Sequence, residues 1–322
     1  MTHYRKRLAV AAAALLLAVS SFPPAQAEEA LHRPFVHAYN TTDDMETAAA
    51  AVRSSLASAG LTIAGEYSPY EGALVIAVTS DAMQAAASAT DYGAYGAVQR
   101  VSLTAMGAGE KAHIQVTYTN PVYMAHAYRM GSDLAEVRKA LGTELGAEAD
   151  YGSEDGLTKD ELGEYRYMGF PMYTELFDQH FELVSYGSYE EAVGKVEEGL
   201  AAGKAGTSKV YRIDIPGKEQ TLFGVGLTRE CSGDKYIMEK IDFKDMRQTG
   251  HLPYELLVTG GNITAQAGRF RIAINFPDLG MVGSHGFTSI MCAPDAIREA
   301  LEEAAGVIPP VATELTGPPR KD

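Results

Sequence analysis

The stretch AHIQVTYTNPVYMAHAYRMGSDLAEVRKALGTELG, residues 112–146, decides the fold. Ile114, Val116 and Tyr118 share one parity while His113, Gln115 and Thr117 take the other, the period of a strand with one face on a core. Asn120-Pro121 turns the chain, Val122–Met130 crosses carrying a Met and a His, and Leu134, Val137, Leu141 and Leu145 recur at helical spacing before Gly146. A second stretch, GRFRIAINFPDLGMVGSHGFTSIMCAPDAIREALEEAAG at 268–306, reads the same way. Phe270, Ile272 and Ile274 alternate, Pro277 turns, Met281 and His285 follow, and Ile297, Ala300, Leu301 and Ala304 form a stripe before Gly306. Setting Pro277 on Pro121 preserves the parity. A slip of one residue would reverse it, so the agreement marks the two stretches as copies.

The duplication extends upstream. Asp43 with Glu46, and Ser188 with Glu191, have the spacing of capping boxes that open amphipathic helices. Each helix precedes a strand pair, Leu61–Tyr67 with Ala73–Thr79 and Lys209–Ile215 with Thr221–Thr228. Hairpins are expected at Val98–Met106 with His113–Thr119, and at Tyr254–Thr259 with Arg269–Phe276. The fold class predicted is α+β, with two tandem ferredoxin-like repeats at 28–146 and 181–308 packed as a pseudo-dimer. Each has an antiparallel sheet with helices on one face. Residues 147–180 have no counterpart and form an acidic, Tyr-rich connecting insert (Tyr151, Tyr165, Tyr167, Tyr173), helical in part from Lys159 to Tyr167 and packed on the repeats. The tail 309–322 is rich in proline and is expected to be loose.

The order of helix, strand pair, helix and hairpin resembles the small α/β domain known as domain-of-unknown-function family 302. The similar pieces are LVIAVTSDAMQAAA at Leu74–Ala87 and His251-Leu252-Pro253-Tyr254 at the entry to the hairpin. The family's Leu-Pro-Cys cysteine is absent: Tyr254 stands there in the second repeat, and the first has Gly96-Ala97-Val98. The resemblance therefore implies an α+β tandem pseudo-dimer and no chemistry resting on that cysteine.

Arg5, Lys6 and Arg7, the uncharged run Leu8–Val19 and Ala25-Gln26-Ala27 have the order of a secretory signal peptide over 1–27. That places the mature chain in the periplasm or outside the cell, with no membrane-spanning segment of its own. Cleavage removes three basic residues and no acidic one, taking the formal charge from −15 to −18. Nucleic acid, which requires a basic footprint, is excluded as a partner. Cys231 and Cys292 are the only cysteines, and an oxidising compartment predicts one disulfide between them.

Met124 and His126 in one copy, and Met281 and His285 in the other, follow the equivalent prolines. Thioether with imidazole suits copper(I), so one reading is a periplasmic copper-handling protein using these Met/His pairs. No motif for covalent haem or a zinc hydrolase occurs. His113, His180 and His251 read as scattered surface or hairpin histidines. Gly224-Val225-Gly226 lies within a strand, so its glycines indicate close packing and not a dinucleotide loop. Tyrosines supply amphipathic pocket walls. The ligand site is therefore expected between the repeats at Tyr123, Met124, His126, Tyr128, Met281 and His285, with Tyr167 or Met172 from the insert. The leading function is a non-enzymatic cell-envelope protein binding a small ligand, metal or protein partner there. The alternatives are copper handling and an enzyme whose site is assembled only in the fold.

Overall fold

The computed structural model describes residues 29–169 and 172–308, with the side chains of 168–173 outside that description. The expected signal peptide, the tail from Pro309 and the Met172 side chain therefore lie outside the described residues. The first half runs β1 (Phe35–Thr41), α1 (Met45–Ser58), β2 (Thr62–Tyr67), β3 (Ala73–Thr79), α2 (Asp81–Ser88), β4 (Gln99–Met106), β5 (His113–Thr119), α3 (Pro121–Ala127) and α4 (Ala135–Glu144). The insert contributes β6 (Ala149–Tyr151), α5 (Lys159–Gly163), β7 (Met168–Gly169) and β8 (Met172–Tyr173). The second half runs β9 (Phe181–Ser185), α6 (Tyr189–Ala201), β10 (Thr207–Asp214), β11 (Gln220–Leu227), α7 (Asp234–Ile241), β12 (Tyr254–Thr259), β13 (Asn262–Ala265), α8 (Gly268–Asn275) and α9 (Ala293–Ala304).

Two large antiparallel sheets result, with orders β2-β3-β4-β5-β1-β6 and β10-β11-β12-β13-β9, beside the small pair β7-β8. Without β6 the two orders are the same. The irregularities match as well. β2 slips against β3 between Ile63 and Gly65, as β10 slips against β11 between Lys209 and Tyr211. β1 slips against β5 between His37 and Tyr39, and β13 against β9 between Ile263 and Thr264. Bulges bend strands and re-aim side chains, so shared ones indicate the same local geometry in both sheets. The order departs from the ferredoxin-like expectation in one respect: the strands flanking α1, β2 and β1, have three others between them.

Local chemistry sets the helix starts. Asp44 accepts from the Thr47 N–H at 2.8 Å, and Ser188 from that of Glu191 at 3.2 Å. Ala48, Ala49, Val52 and Leu56 of α1 join Val101, Leu103, Ile114, Val116 and Tyr118 in the first core. Ala192, Val193, Val196 and Leu200 of α6 join Phe223, Val225, Leu256 and Val258 in the second. A third core belongs to both halves and the insert, with Ala77, Tyr95, Tyr123, Leu162, Phe177, Tyr211, Leu222, Leu257 and Phe270. It fills the seam between the sheet faces that turn away from their own helices. At its edge β2 meets β10 so closely that a Cβ on Gly65 would run into the Val210 carbonyl. The Cys231–Cys292 disulfide is formed, with Cα atoms 5.9 Å apart, and fastens the loop before α7 to the start of α9. No helix among the described residues is long and apolar enough to cross a membrane.

The expected strand at Arg269–Phe276 is helix α8, and the hairpin closes earlier, through Gly260-Gly261 into β13. Register makes the correction definite. Ser102 lies opposite Thr117 and Leu257 opposite Thr264; four residues beyond each partner stand Pro121 and Gly268, the first residues of α3 and α8. The true partner of Pro121 is therefore Gly268, not Pro277, and the Pro–Met–His match was a coincidence of spacing. The misreading has a physical cause. Apart from Arg269, helix α8 is buried all round, so no continuous polar face reveals its period, and Phe270, Ile272 and Ile274 imitate a strand. Likewise Val122–Met130 is not an irregular crossing. Pro121 occupies the first turn of α3, where its missing N–H costs nothing, and Asn120 caps it through the Val122 N–H at 3.2 Å.

Candidate functional site: two equivalent hollows and a buried charged seam

With Gly268 set on Pro121, residues 125, 126 and 129 correspond to 272, 273 and 276. Both sets line hollows. Ala125, His126 and Arg129 form one wall of an open cleft of about 660 Å³, with Met130 beside them and Lys159, Asp160, Gly163 and Glu164 of the insert opposite. Ile272, Ala273 and Phe276 line a hollow closed by Tyr167 and Thr174 of the insert and by Leu279, Met281 and Phe287, and its free volume is about 20 Å³. That admits a single water. The insert is anchored on α8 and the loop after it: the Tyr165 hydroxyl donates to the Ala273 carbonyl at 3.1 Å and the Tyr167 hydroxyl to the Leu279 carbonyl at 3.0 Å.

The open cleft is polar. Arg129, in the left-handed conformation (φ 47°) at the end of α3, donates to the Gly163 carbonyl at 2.8 Å and pairs with Asp178 at 2.9 Å. His126 is pushed below the ordinary imidazole range, first by partial burial and then by His32 and Lys159. It is therefore neutral at pH 7. The His32 ring lies 5.4 Å away, centroid to centroid, tilted by 52°.

The expected site residues are not brought together. Tyr123, Met124 and Tyr128 are buried in the seam, where the Tyr123 hydroxyl donates to the Ile274 carbonyl at 2.8 Å. His126 lines the open cleft, Met281 the closed hollow. His285 is exposed, stacks on Phe243 at 4.3 Å and bonds the Lys240 carbonyl at 2.8 Å. The Met/His pairs thus have different neighbours. Gly224 and Gly226 fit their reading: a Cβ at Gly224 would strike the Tyr211 ring, and one at Gly226 would come within 3.0 Å of Tyr67.

A cluster that sequence reasoning missed lies within the seam. Val78 stands opposite Gln99 and Val225 opposite Tyr254, so the next residues, Arg100 and Glu255, are equivalent positions of the two sheets. They form an ion pair across the seam, with Arg100 at 0% and Glu255 at 3% exposure. Arg271 of α8, equally buried, donates through Nε to Glu255 at 3.1 Å and through Nη1 to His251 Nδ1 at 3.0 Å. Accepting at Nδ1 fixes the proton on Nε2, which faces the Tyr254 hydroxyl at 3.0 Å. Burial, then Arg271 and Arg100, hold His251 well below its usual range, so it is neutral. His251 is therefore the centre of a buried network and not a surface histidine. His180 departs from expectation too, stacked on Tyr95 at 5.0 Å and pushed down to about 4 by burial.

The strand faces around this cluster are polar and covered. Ser102 and Thr117 share a hydrogen bond at 2.7 Å, Thr104 and Thr249 one at 2.8 Å, and the Gln115 side chain accepts from the Arg247 N–H at 2.8 Å. Further along, Asp234 accepts from the Tyr67 hydroxyl and the Leu227 N–H, both at 3.1 Å, and burial pushes its carboxyl up to about 7. No family model, curated protein or solved structure matches the chain.

Proposed function

We propose that the chain is a non-enzymatic binding protein of the cell envelope, built from two copies of one α+β domain fused as a pseudo-dimer, with its small-ligand site in the cleft over α3. Each copy is a widened form of the ferredoxin-like plan. The reading rests on one observation: equivalent positions of α3 and α8 face two hollows under one insert, and only that over α3 is open, at about 660 Å³. That volume is ordinary for a small-molecule site. The lining combines cations (Arg129, Lys159), carboxylates (Asp160, Glu164) and a neutral imidazole, which suits a small polar ligand bearing charge. Envelope location is supported by the formed Cys231–Cys292 bond. The enzyme alternative needs titratable groups that converge where a substrate can reach them. His251, Glu255 and Arg271 converge at the seam with almost no exposed surface, so that reading would rest on His126, Lys159, Asp160 and Glu164 of the same open cleft.

Native mass spectrometry of the purified chain tests the proposal. A retained small molecule, lost in His126→Ala and Lys159→Ala, is expected. A ligand-free mass, with no thermal shift across a panel of charged metabolite-sized compounds, would end it. A second reading, copper(I) handling, draws on the 5.4 Å approach of His32 to His126, with Met130 in the same cleft. It predicts copper(I) binding that His126→Ala removes and His285→Ala leaves intact. The opposite pattern would dismiss it.

A further inference from the structure

The seam cluster has more positive charge than its own residues neutralise. Arg100 and Arg271 are both ionised guanidiniums, Glu255 is the single carboxylate that pairs with them, and His251 is neutral. Asp234, the next buried acid, is engaged by Tyr67 and the Leu227 N–H instead. Arg271 spends its donors on Glu255, His251 and the His251 and Pro253 carbonyls. Arg100 does not. Beyond its contact with Glu255, its Nε and Nη1 have no hydrogen-bond partner among the described residues.

Two phenols complete the pattern. The hydroxyls of Tyr128, at the end of α3, and Tyr211, on β10, are buried and likewise without partners. Both lie within electrostatic reach of the Arg100 guanidinium and of each other. Gly224, between Tyr211 and Glu255 in the sheet register, has no side chain, and the Tyr211 ring lies over it. Buried N–H and O–H groups from both halves thus gather in the part of the seam that holds one uncompensated charge. Such groups are rarely left unsatisfied, and a buried charge is rarely left uncompensated.

We propose that the seam binds a small monovalent inorganic anion, of halide or nitrate size, held by Arg100 Nε and Nη1 and by the Tyr128 and Tyr211 hydroxyls. One negative charge balances two guanidiniums against one carboxylate, and hydrogen-bond donors are what such an ion requires. The anion ties α3 and β4 of the first half to β10 of the second. It is separate from the cleft over α3 and does not depend on what that cleft binds.

The test uses the whole chain, unfolded and refolded in sodium chloride, bromide or nitrate against sodium gluconate at equal ionic strength. A saturable rise in melting temperature with the small anions, absent with gluconate, is expected. Arg100→Met should abolish it, and Tyr128→Phe and Tyr211→Phe should each raise the half-effect concentration by about tenfold, the loss of one hydrogen bond to an ion. Crystals grown in bromide should show an anomalous peak beside Arg100. Indifference to anion identity, or a response unchanged in Arg100→Met, would overturn the proposal. Should Arg100→Met fail to fold, unchanged responses in both tyrosine variants would do the same.

Discussion

Replacing Asp234 by Asn should make the protein more stable above neutral pH, and hardly alter it in acid. Burial lifts this carboxyl from 3.8 to about 7, against the opposing pull of its bonds from the Leu227 N–H and the Tyr67 hydroxyl. A carboxyl whose folded pKa is raised binds its proton more tightly folded than unfolded. Its contribution is therefore complete below the unfolded value near 4, is lost progressively as pH rises to 7, and is flat beyond. A shift of about three units corresponds to about 4 kcal/mol. The position of Asp234 in the first turn of α7 favours the ionised form, which makes that an upper figure. Asparagine imitates the protonated acid: its oxygen still accepts from Tyr67 and Leu227, and its amide takes the place of Oδ1, which has no partner. Asp242, pushed up to about 7 by its own burial, keeps its half of the pH dependence. Urea unfolding of both proteins at pH 4, 5.5, 7 and 8.5 reads the effect. The difference should be near zero at pH 4 and grow to several kcal/mol at pH 8.5, on the order of 10 °C in Tm. A difference independent of pH, or a variant less stable at pH 8.5, would refute the reasoning.

Three more outcomes are expected. Gly65→Ala drives a methyl group into the Val210 carbonyl where β2 meets β10, and should cost about 1–3 kcal/mol in chemical denaturation; a neutral result would mean the strands part easily. Glu255→Gln leaves two buried guanidiniums without a carboxylate and should cost about 3–5 kcal/mol, whereas Arg100→Met leaves Glu255 paired with Arg271 and should cost less. Equal costs would show that Arg271 does not neutralise Glu255. Cys231 and Cys292 should resist alkylation until reduced, and Cys231→Ser with Cys292→Ser should lose about 4 kcal/mol, the chain-entropy figure for a loop whose ends are 61 residues apart. Two thiols that alkylate in the untreated protein would contradict the bond.

Much of the scaffold was legible because its elements present one apolar face and one polar face. Helices α1 and α6 and strand β5 declare their period this way. Helix α8 does not, being buried but for Arg269, and reading it as a strand moves the whole alignment by nine residues, from Gly268 to Pro277. The candidate site shifted with it. His126 lines the open cleft, but its counterpart is Ala273, not His285. The seam was missed for a different reason. Arg100, Ser102 and Thr104 look like the watered face of a strand, since no local pattern reveals that the other half of the chain will cover them. A correct alignment of the halves holds the missing clue: opposite charges at one strand position, Arg100 in one and Glu255 in the other.

That pairing restricts the company the first half can keep. Two first halves meeting as the halves do here would set Arg100 against Arg100 with no carboxylate between them, like charges sealed from water, whereas Glu255 has Arg271 of its own half beside it. The constraint therefore falls on the first half, which no longer fits a copy of itself. The linker then does more than join the halves, since it guarantees that the one permitted mate is always at hand.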